Sequence, residues 1–360
     1  MANPLDVGTV AQALKEHYKP LRVQNMVYKD NPLLAMMPKY TKFGGENMPI
    51  PLLYANPQRR SATFATGQAN ESNSALKQFV LTRVKDYSFA SITGESIKAT
   101  ERDSDAFLRY ATMEIDGALH SLTRSIAVSM YGDGSGSIGT LSVDPATGTT
   151  YTLTNAENIT NFEVGMEVVF ADNTGAALRA GGERVITAID RDAGTFTALA
   201  AHGDLEISDD IFQKGDYVSA SDRLKIRGLE GWCPATAPTS AVFFGVDRTA
   251  DVTRLGGNRF DGSSLPIEEA LITGAARVAR EGGRPDACFV DFATFSNLEK
   301  ALGSKVVYDE AKARDVDIGF SAISLRGPRG TIKVIPDQNC QPDVAWMLQL
   351  DTWSLNTLGE

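Results

Sequence analysis

The chain has 360 residues, 42% of them hydrophobic and 22% charged, enough apolar mass for a sizeable core and for about two domains or one domain with insertions. Acidic residues outnumber basic ones 45 to 35, giving a net charge of −10. That balance argues against a dedicated nucleic-acid binder, whose basic face would neutralise phosphates. No apolar run is long enough to span a membrane and no signal-peptide pattern opens the chain. Cys233, Cys288 and Cys340, scattered and odd in number, read as buried thiols of a protein made in a reducing cytoplasm.

In chain order, residues 1–40 read as an arm. A short helix is expected at 7–18, with Val10 and Leu14 on one side and Pro20 ending it. The run at 21–37 is too apolar to float free and too irregular to fold alone. Residues 41–92 read as a projecting hairpin. Its first strand, 48–54, carries Pro49 and Pro51, with Pro57 following. These confine it to an edge, because proline donates no ladder hydrogen bond. A polar tip at 63–73 leads into a long strand pattern at 76–92, one face of which carries Lys77, Phe79, Leu81, Arg83, Lys85, Tyr87 and Phe89. A two-stranded hairpin is marginal alone in water, so this one needs a neighbour to lie on.

Residues 101–131 give the clearest helix: Leu108, Ala111, Ile115, Leu119, Leu122, Ile126 and Met130 recur every three or four positions. Thr100 and Asp103 stand at capping-box spacing, and the glycines of 132–136 end the helix. From 138 to 221 short strands are expected at 149–154, 166–170, 184–189, 195–199 and 216–219, with a turn at 190–194. This reads as a small all-β module inserted into a host domain. The remainder, 222–360, is mixed: a helix beginning near Pro266 with Ile267, Leu271, Ala275 and Val278 as its stripe, a buried strand at 287–290, a helix at 293–302, short strands at 306–308 and 344–350, and a hairpin pairing 317–325 with 331–335. The fold class is α+β.

Chemistry is scarce. His17, His120 and His202 are far apart and fit no metal-binding pattern, and nothing resembles a nucleophile elbow. Ser74-Ala-Leu-Lys77 is a chance match to a catalytic motif whose partners are absent, and the glycine-rich 132–136 follows a helix where a phosphate loop would follow a strand. Asp204, Glu206, Asp209 and Asp210 lack the spacing of a calcium loop and read as a solvated loop. No enzyme activity, no cofactor and no metal is expected. The stretch 244–261 mixes signs through Asp247, Arg248, Asp251, Arg254, Arg259 and Asp261. It is either a solvated loop or a surface where arginines meet carboxylates of a neighbouring subunit.

An arm, a projecting hairpin, a long helix and an α/β domain stand in that order. Local motifs accompany it: Asn31-Pro-Leu-Leu34, Gly44-Gly45, Gly228-Leu-Glu-Gly-Trp232, Phe244-Gly-Val-Asp-Arg248, Arg254-Leu-Gly-Gly257 ahead of Ile267-Glu-Glu-Ala-Leu271, Gly283-Arg-Pro-Asp286, Leu302-Gly-Ser-Lys-Val306 and Gly327-Pro-Arg-Gly-Thr-Ile-Lys-Val-Ile335. Over roughly 1–135 and 222–360 the sequence resembles the major capsid proteins of tailed bacteriophages, the Hong Kong 97-type fold. The resemblance implies an N-terminal arm (1–40), an extended loop (41–92), a peripheral domain with its spine helix (93–137), an inserted β-rich domain (138–221), and an axial domain with the return strands of the peripheral domain (222–360). It implies hexamers and pentamers that close into an icosahedral head around double-stranded DNA. Such a subunit resides in the virion and is assembled in the host bacterial cytoplasm, with portal, scaffolding and decoration proteins as partners and no membrane. Phe79, Leu81, Tyr87 and Phe89, with Arg248, Arg254 and Arg259, are then the expected inter-subunit contacts. The β insertion departs from the simplest members of that family. No long scaffolding segment precedes the arm, so a scaffold is expected to be separate or already cleaved, and further residues are expected beyond Glu360. Two alternatives stay open: an encapsulin-like shell protein of a bacterial compartment, and a soluble α/β enzyme or binding protein with a polar-lined pocket.

Overall fold

The computed structural model describes residues 31–70, 72–91, 104–145, 148–175, 177–217, 224–303, 308–312 and 319–357. The helix expected at 7–18, the capping pair Thr100 and Asp103, and the strand ends at 218–219 and 306–307 lie outside the described residues. The chain divides into two compact units, one within Lys85–Ala127, the other within Asn31–Val84 and Val128–Glu360.

The second unit opens with α1 (Pro32–Met36), started by a proline whose missing N–H is no loss in a first helical turn. Leu33, Met36 and Met37 are buried. Next, β1 (Lys39–Tyr40) pairs in parallel with β15 (Leu355–Asn356). The hairpin consists of β2 (Asn47–Ala55) and β3 (Ala75–Thr82), antiparallel, with a short helix α2 (Phe64–Ala69) at its tip. The strand pattern of the sequence runs on to Ile92, but β3 stops at Thr82. Its partner begins at Asn47, so residues beyond 82 have no strand to pair with. The ladder slips between Leu53 and Ala55, leaving Tyr54 as the extra residue of a bulge.

The long helix α3 (Ser104–Tyr131) fulfils the periodic pattern. Its last turn, Val128–Tyr131, belongs to the second unit, where Met130 and Tyr131 are buried at 3% and 2% exposure, whereas Ile115 and Leu119 on the helix's apolar stripe are 51% and 56% exposed. Gly228 lies against this last turn and donates to the Gly132 carbonyl at 2.9 Å; a Cβ at 228 would collide with the Met130 carbonyl.

The β-rich stretch contains β4 (Ser137–Thr140), β5 (Thr150–Thr152), β6 (Glu167–Ala171), β7 (Arg184–Asp190), β8 (Thr195–Ala198) and β9 (Asp210–Gln213), in the spatial order β4-β9-β6-β7-β8-β5 and antiparallel throughout. Leu141 bridges Leu153, with Ser142 N–H to Thr152 O at 2.9 Å and Thr154 N–H to Thr140 O at 2.8 Å. These bonds join the two outer strands, and the sheet closes on itself. Inside, Tyr151, Phe162, Phe170 and Phe196 are at most 1% exposed and stack, with centroids 5.0 Å (Tyr151–Phe196), 5.1 Å (Phe162–Phe196) and 5.4 Å (Tyr151–Phe170) apart.

Asp204 and Glu206 of the acidic cluster are exposed, as expected of a solvated loop, but Asp209 and Asp210 correct that expectation. Asp209 is fully buried because Arg179, thirty residues earlier, reaches it with Nε at 2.9 Å and Nη2 at 2.7 Å, while Glu206 N–H donates to it at 2.8 Å. Asp210, the first residue of β9, has its carboxyl pushed up to about 6, chiefly by burial. The strand expected from 216 is a bend and irregular chain where it is described, at 216–217; β9 precedes it.

The α/β part contains α4 (Leu229–Trp232), α5 (Ile267–Arg280), β10 (Ala287–Val290), α6 (Phe292–Leu302), β11 (Tyr308–Lys312), β12 (Gly319–Gly327), β13 (Gly330–Pro336) and β14 (Trp346–Leu348). The sheet order is β11-β12-β13-β10-β14, with β10 and β13 parallel. All four residues of β10 are buried, as befits a strand covered on both faces. Leu271 and Ala275 of α5 and Phe295 and Leu298 of α6 share a core with Val290, Ile323, Ile332 and Val334. The Asp291 carboxylate caps α6 by accepting from Thr294 N–H at 3.0 Å. Asp337, just past β13 and 1% exposed, accepts from Tyr131 Oη at 2.8 Å, Asn339 N at 2.9 Å and Leu33 N at 3.2 Å. Burial pushes its carboxyl up and these donors oppose that rise. This one carboxylate ties α1 and the end of α3 to the sheet.

Candidate subunit-contact surfaces

The hairpin has two chemically different faces, set by its register. Ile50 stands opposite Phe79 and Leu52 opposite Lys77 on one face; Pro49 opposite Val80, Pro51 opposite Gln78, and Leu53 opposite Leu76 on the other. The first face lies on its own chain. Phe79, 4% exposed, meets Trp232 edge-on at 5.2 Å and joins a cluster with Phe243, Val246 and Leu255, against which Ile50, Leu52 and Tyr54 pack.

The receiving surface is built from the mixed-sign stretch and the residues before it. Phe243 to Val246 form a tight turn, with N–H···O bonds of 3.0 Å in both directions and positive φ at Phe244 (47°) and Gly245 (85°). Gly245 suits that conformation. Phe244 is held in it by the Phe243 ring at 4.8 Å, the Trp232 ring at 5.6 Å and the Arg227 guanidinium at 4.5 Å. The Phe244 carbonyl accepts from Val80 N–H at 2.9 Å, and the Asp247 carbonyl accepts from Lys77 Nζ.

The residues expected to meet a neighbour are therefore distributed differently. Phe79 is buried in its own chain, because the phase of the strand turns it inward, and it offers no surface to another subunit. Leu81 lies on the same face and is half-buried. Arg248 is also buried: Nη1 donates to Gly231 O at 3.0 Å and Trp232 O at 3.1 Å, and the guanidinium lies 4.2 Å from the Phe243 ring centre. That burial lowers its pKa from the usual arginine value. Arg254 reaches the bulged Tyr54 carbonyl at 2.7 Å, and Arg259 donates to Gly256 O at 2.8 Å and Val252 O at 2.7 Å. All three arginines brace backbone carbonyls of their own chain, a role that neither reading of the stretch foresaw. Tyr87 and Phe89, in the other unit, stack at 6.5 Å and are 69% and 87% exposed.

The exposed apolar groups missed in the sequence are on the outward face and tip of the hairpin: Leu53 at 50%, Leu76 at 68% and Phe64 at 86%. The signal was present. Strand alternation places Leu53 on the face of Pro49 and Pro51, and Ile50 and Leu52 on the other. Among the described residues no group of three or more His, Cys, Asp or Glu side chains is placed to hold a metal ion, and no helix is long and apolar enough to cross a membrane.

Residues 209–360 match the family model described as SU10 major capsid protein. A chain of the cyanophage A-1(L) capsid asymmetric unit shares the fold, with a TM-score of 0.53 and 11% identity over 98% of this chain and 80% of that one. No curated protein sequence matches the chain. The family match and the shared fold support a phage major capsid protein, the resemblance drawn from the order of the sequence elements.

Proposed function

We propose that this chain is the structural subunit of a phage head, and that it acts by assembling with copies of itself without catalysing a reaction. The observation that carries the reading is the match of residues 209–360 to a phage major capsid family. The fold shared with a cyanophage capsid chain supports it. In this reading the architecture is of the Hong Kong 97 type. Hexamers and pentamers close into an icosahedral shell around double-stranded DNA, assembled in the bacterial cytoplasm and retained in the virion. Portal, scaffolding and decoration proteins act as partners. Residues 41–92 serve as the extended loop, 93–137 as the peripheral part with its spine helix, 138–221 as an insertion, and 222–360 as the axial part.

The contacts with neighbouring subunits fall to apolar groups that the single chain leaves in water: Leu53, Phe64 and Leu76 on the hairpin, and Tyr87, Phe89, Ile115 and Leu119 in the other unit. Covering them with a second copy removes apolar surface from water at roughly 25 cal/mol per Å². Size-exclusion chromatography with negative-stain microscopy of the expressed chain, with and without neighbouring phage genes, tests this. Rings or closed shells are expected. A compact monomer under every condition overturns the proposal, and shells that carry an enzyme in place of DNA would make the protein a compartment wall.

A further inference from the structure

The hairpin carries exposed Leu53 and Leu76 on its two strands and Phe64 at its tip, the kind of element whose free edges recruit further strands. Its edges have an unusual composition. Val80 N–H donates to the Phe244 carbonyl, so it points away from β2. In an antiparallel ladder the residue opposite such a position also turns its backbone polar groups outward. Pro49 is that residue, and Pro51, two further on, repeats the phase. The outer edge of β2 therefore presents carbonyls at 49 and 51 where an ordinary strand would present N–H and C=O pairs. The bulge at Tyr54 ends the regular edge towards the tip, and the carbonyl of Tyr54 is taken by Arg254. The edge of β3 meets the 243–247 segment, where Val80 N–H is taken by the Phe244 carbonyl, and the Lys77 side chain fastens that segment through the Asp247 carbonyl.

We infer that both edges of the hairpin are closed to strand addition, so that copies of this chain meet through its side-chain face and never by extending its sheet. The prolines stand where no ladder bond is made, so replacing them leaves the hairpin's own hydrogen bonds intact and gives the edge two donors. β2 without its prolines is apolar, uncharged from Asn47 to Ala55 and suited to pairing with itself.

The test is the full chain with Pro49→Thr and Pro51→Thr, compared with wild type and with Pro51→Thr alone in case the double variant does not fold. At an unchanged thermal midpoint, the variant is expected to form thioflavin-positive, pelletable species severalfold faster than wild type. Hydrogen exchange of that material should show the new amides at 49 and 51 protected. A folded variant that stays as free of such species as wild type overturns the inference. Aggregation in which those two amides exchange freely overturns it as well, because the association would not run through the edge.

Discussion

The closed sheet of residues 137–213 and the hairpin of residues 47–82 are both antiparallel and both alternate apolar with polar positions, yet they handle their apolar residues in opposite ways. Six strands can wrap around Tyr151, Phe162, Phe170 and Phe196 and join first strand to last through Leu141 and Leu153. Two strands enclose nothing, so the hairpin places one face on Trp232, Phe243 and Leu255 and leaves Leu53 and Leu76 in water. Strand number, more than composition, decides whether an alternating pattern becomes a core or an interface.

The sharpest way to break this comparison is at the ring stack. Phe196→Ala removes the ring between Tyr151 and Phe162 and should cost about 3–5 kcal/mol. Amide protection should be lost across 137–213 and kept across 47–82; equal loss in both would make them one cooperative unit. Replacing Asp209 with Asn weakens the charge-assisted bonds from Arg179, which is partly exposed and keeps Glu206 at 2.9 Å, and a loss of about 2–3 kcal/mol is expected in urea unfolding. Phe79→Ala should cost about 3 kcal/mol, but locally: the hairpin should become sensitive to protease within 56–74 while the melting of the closed sheet stays in place.

Asp210 gives an effect of the opposite sign. Its folded pKa of about 6 lies above the ordinary 3.8, so the native chain holds more protons than the unfolded chain between those values. Stability falls as pH rises through that window, and the deficit is complete above about pH 6. Asp210→Asn should therefore stabilise the chain by about 1–2 kcal/mol at pH 7 and lose that advantage near pH 4, which thermal melts at the two pH values would register. Last, Arg254→Ala frees the bulged Tyr54 carbonyl at an exposed site and should cost about 1 kcal/mol, visible as faster exchange at the tip end of the hairpin.

Much of the fold was legible because periodicity is local. The stripe of α3, the buried strand at 287–290, the helix near 292–302 and four strands of the closed sheet follow from spacing alone. The sheet also contains β4 and β9, which did not stand out. Asp209 looks solvated until Arg179 is brought beside it, and no local pattern carries that information. Phe79 was misplaced as a contact residue for a related reason. An alternating strand has two faces, and sequence alone labels the more aromatic one as sticky. Here that face found its partner 150 or more residues later in the same chain, at Trp232 and Phe243. Likewise Arg248, Arg254 and Arg259 look like salt-bridge donors for a neighbour, but a guanidinium also donates to carbonyls, and the fold brings those of Gly231, Trp232, Tyr54, Gly256 and Val252 within reach.

The pairing of β1 with β15 has a consequence in time. Lys39 and Tyr40 take their partners from Leu355 and Asn356, Phe43 N–H donates to Thr357 O, and Leu33 N–H donates to Asp337. A ribosome adding about 5–20 residues per second needs about 15–60 s to travel from the first of these strands to the last. Throughout that interval Leu33, Met36, Met37 and Phe43, all buried in the finished fold, wait without the late partners of their segment, Asp337 and residues 355–357. The 33–43 segment is thus exposed to wrong association until those residues have been made.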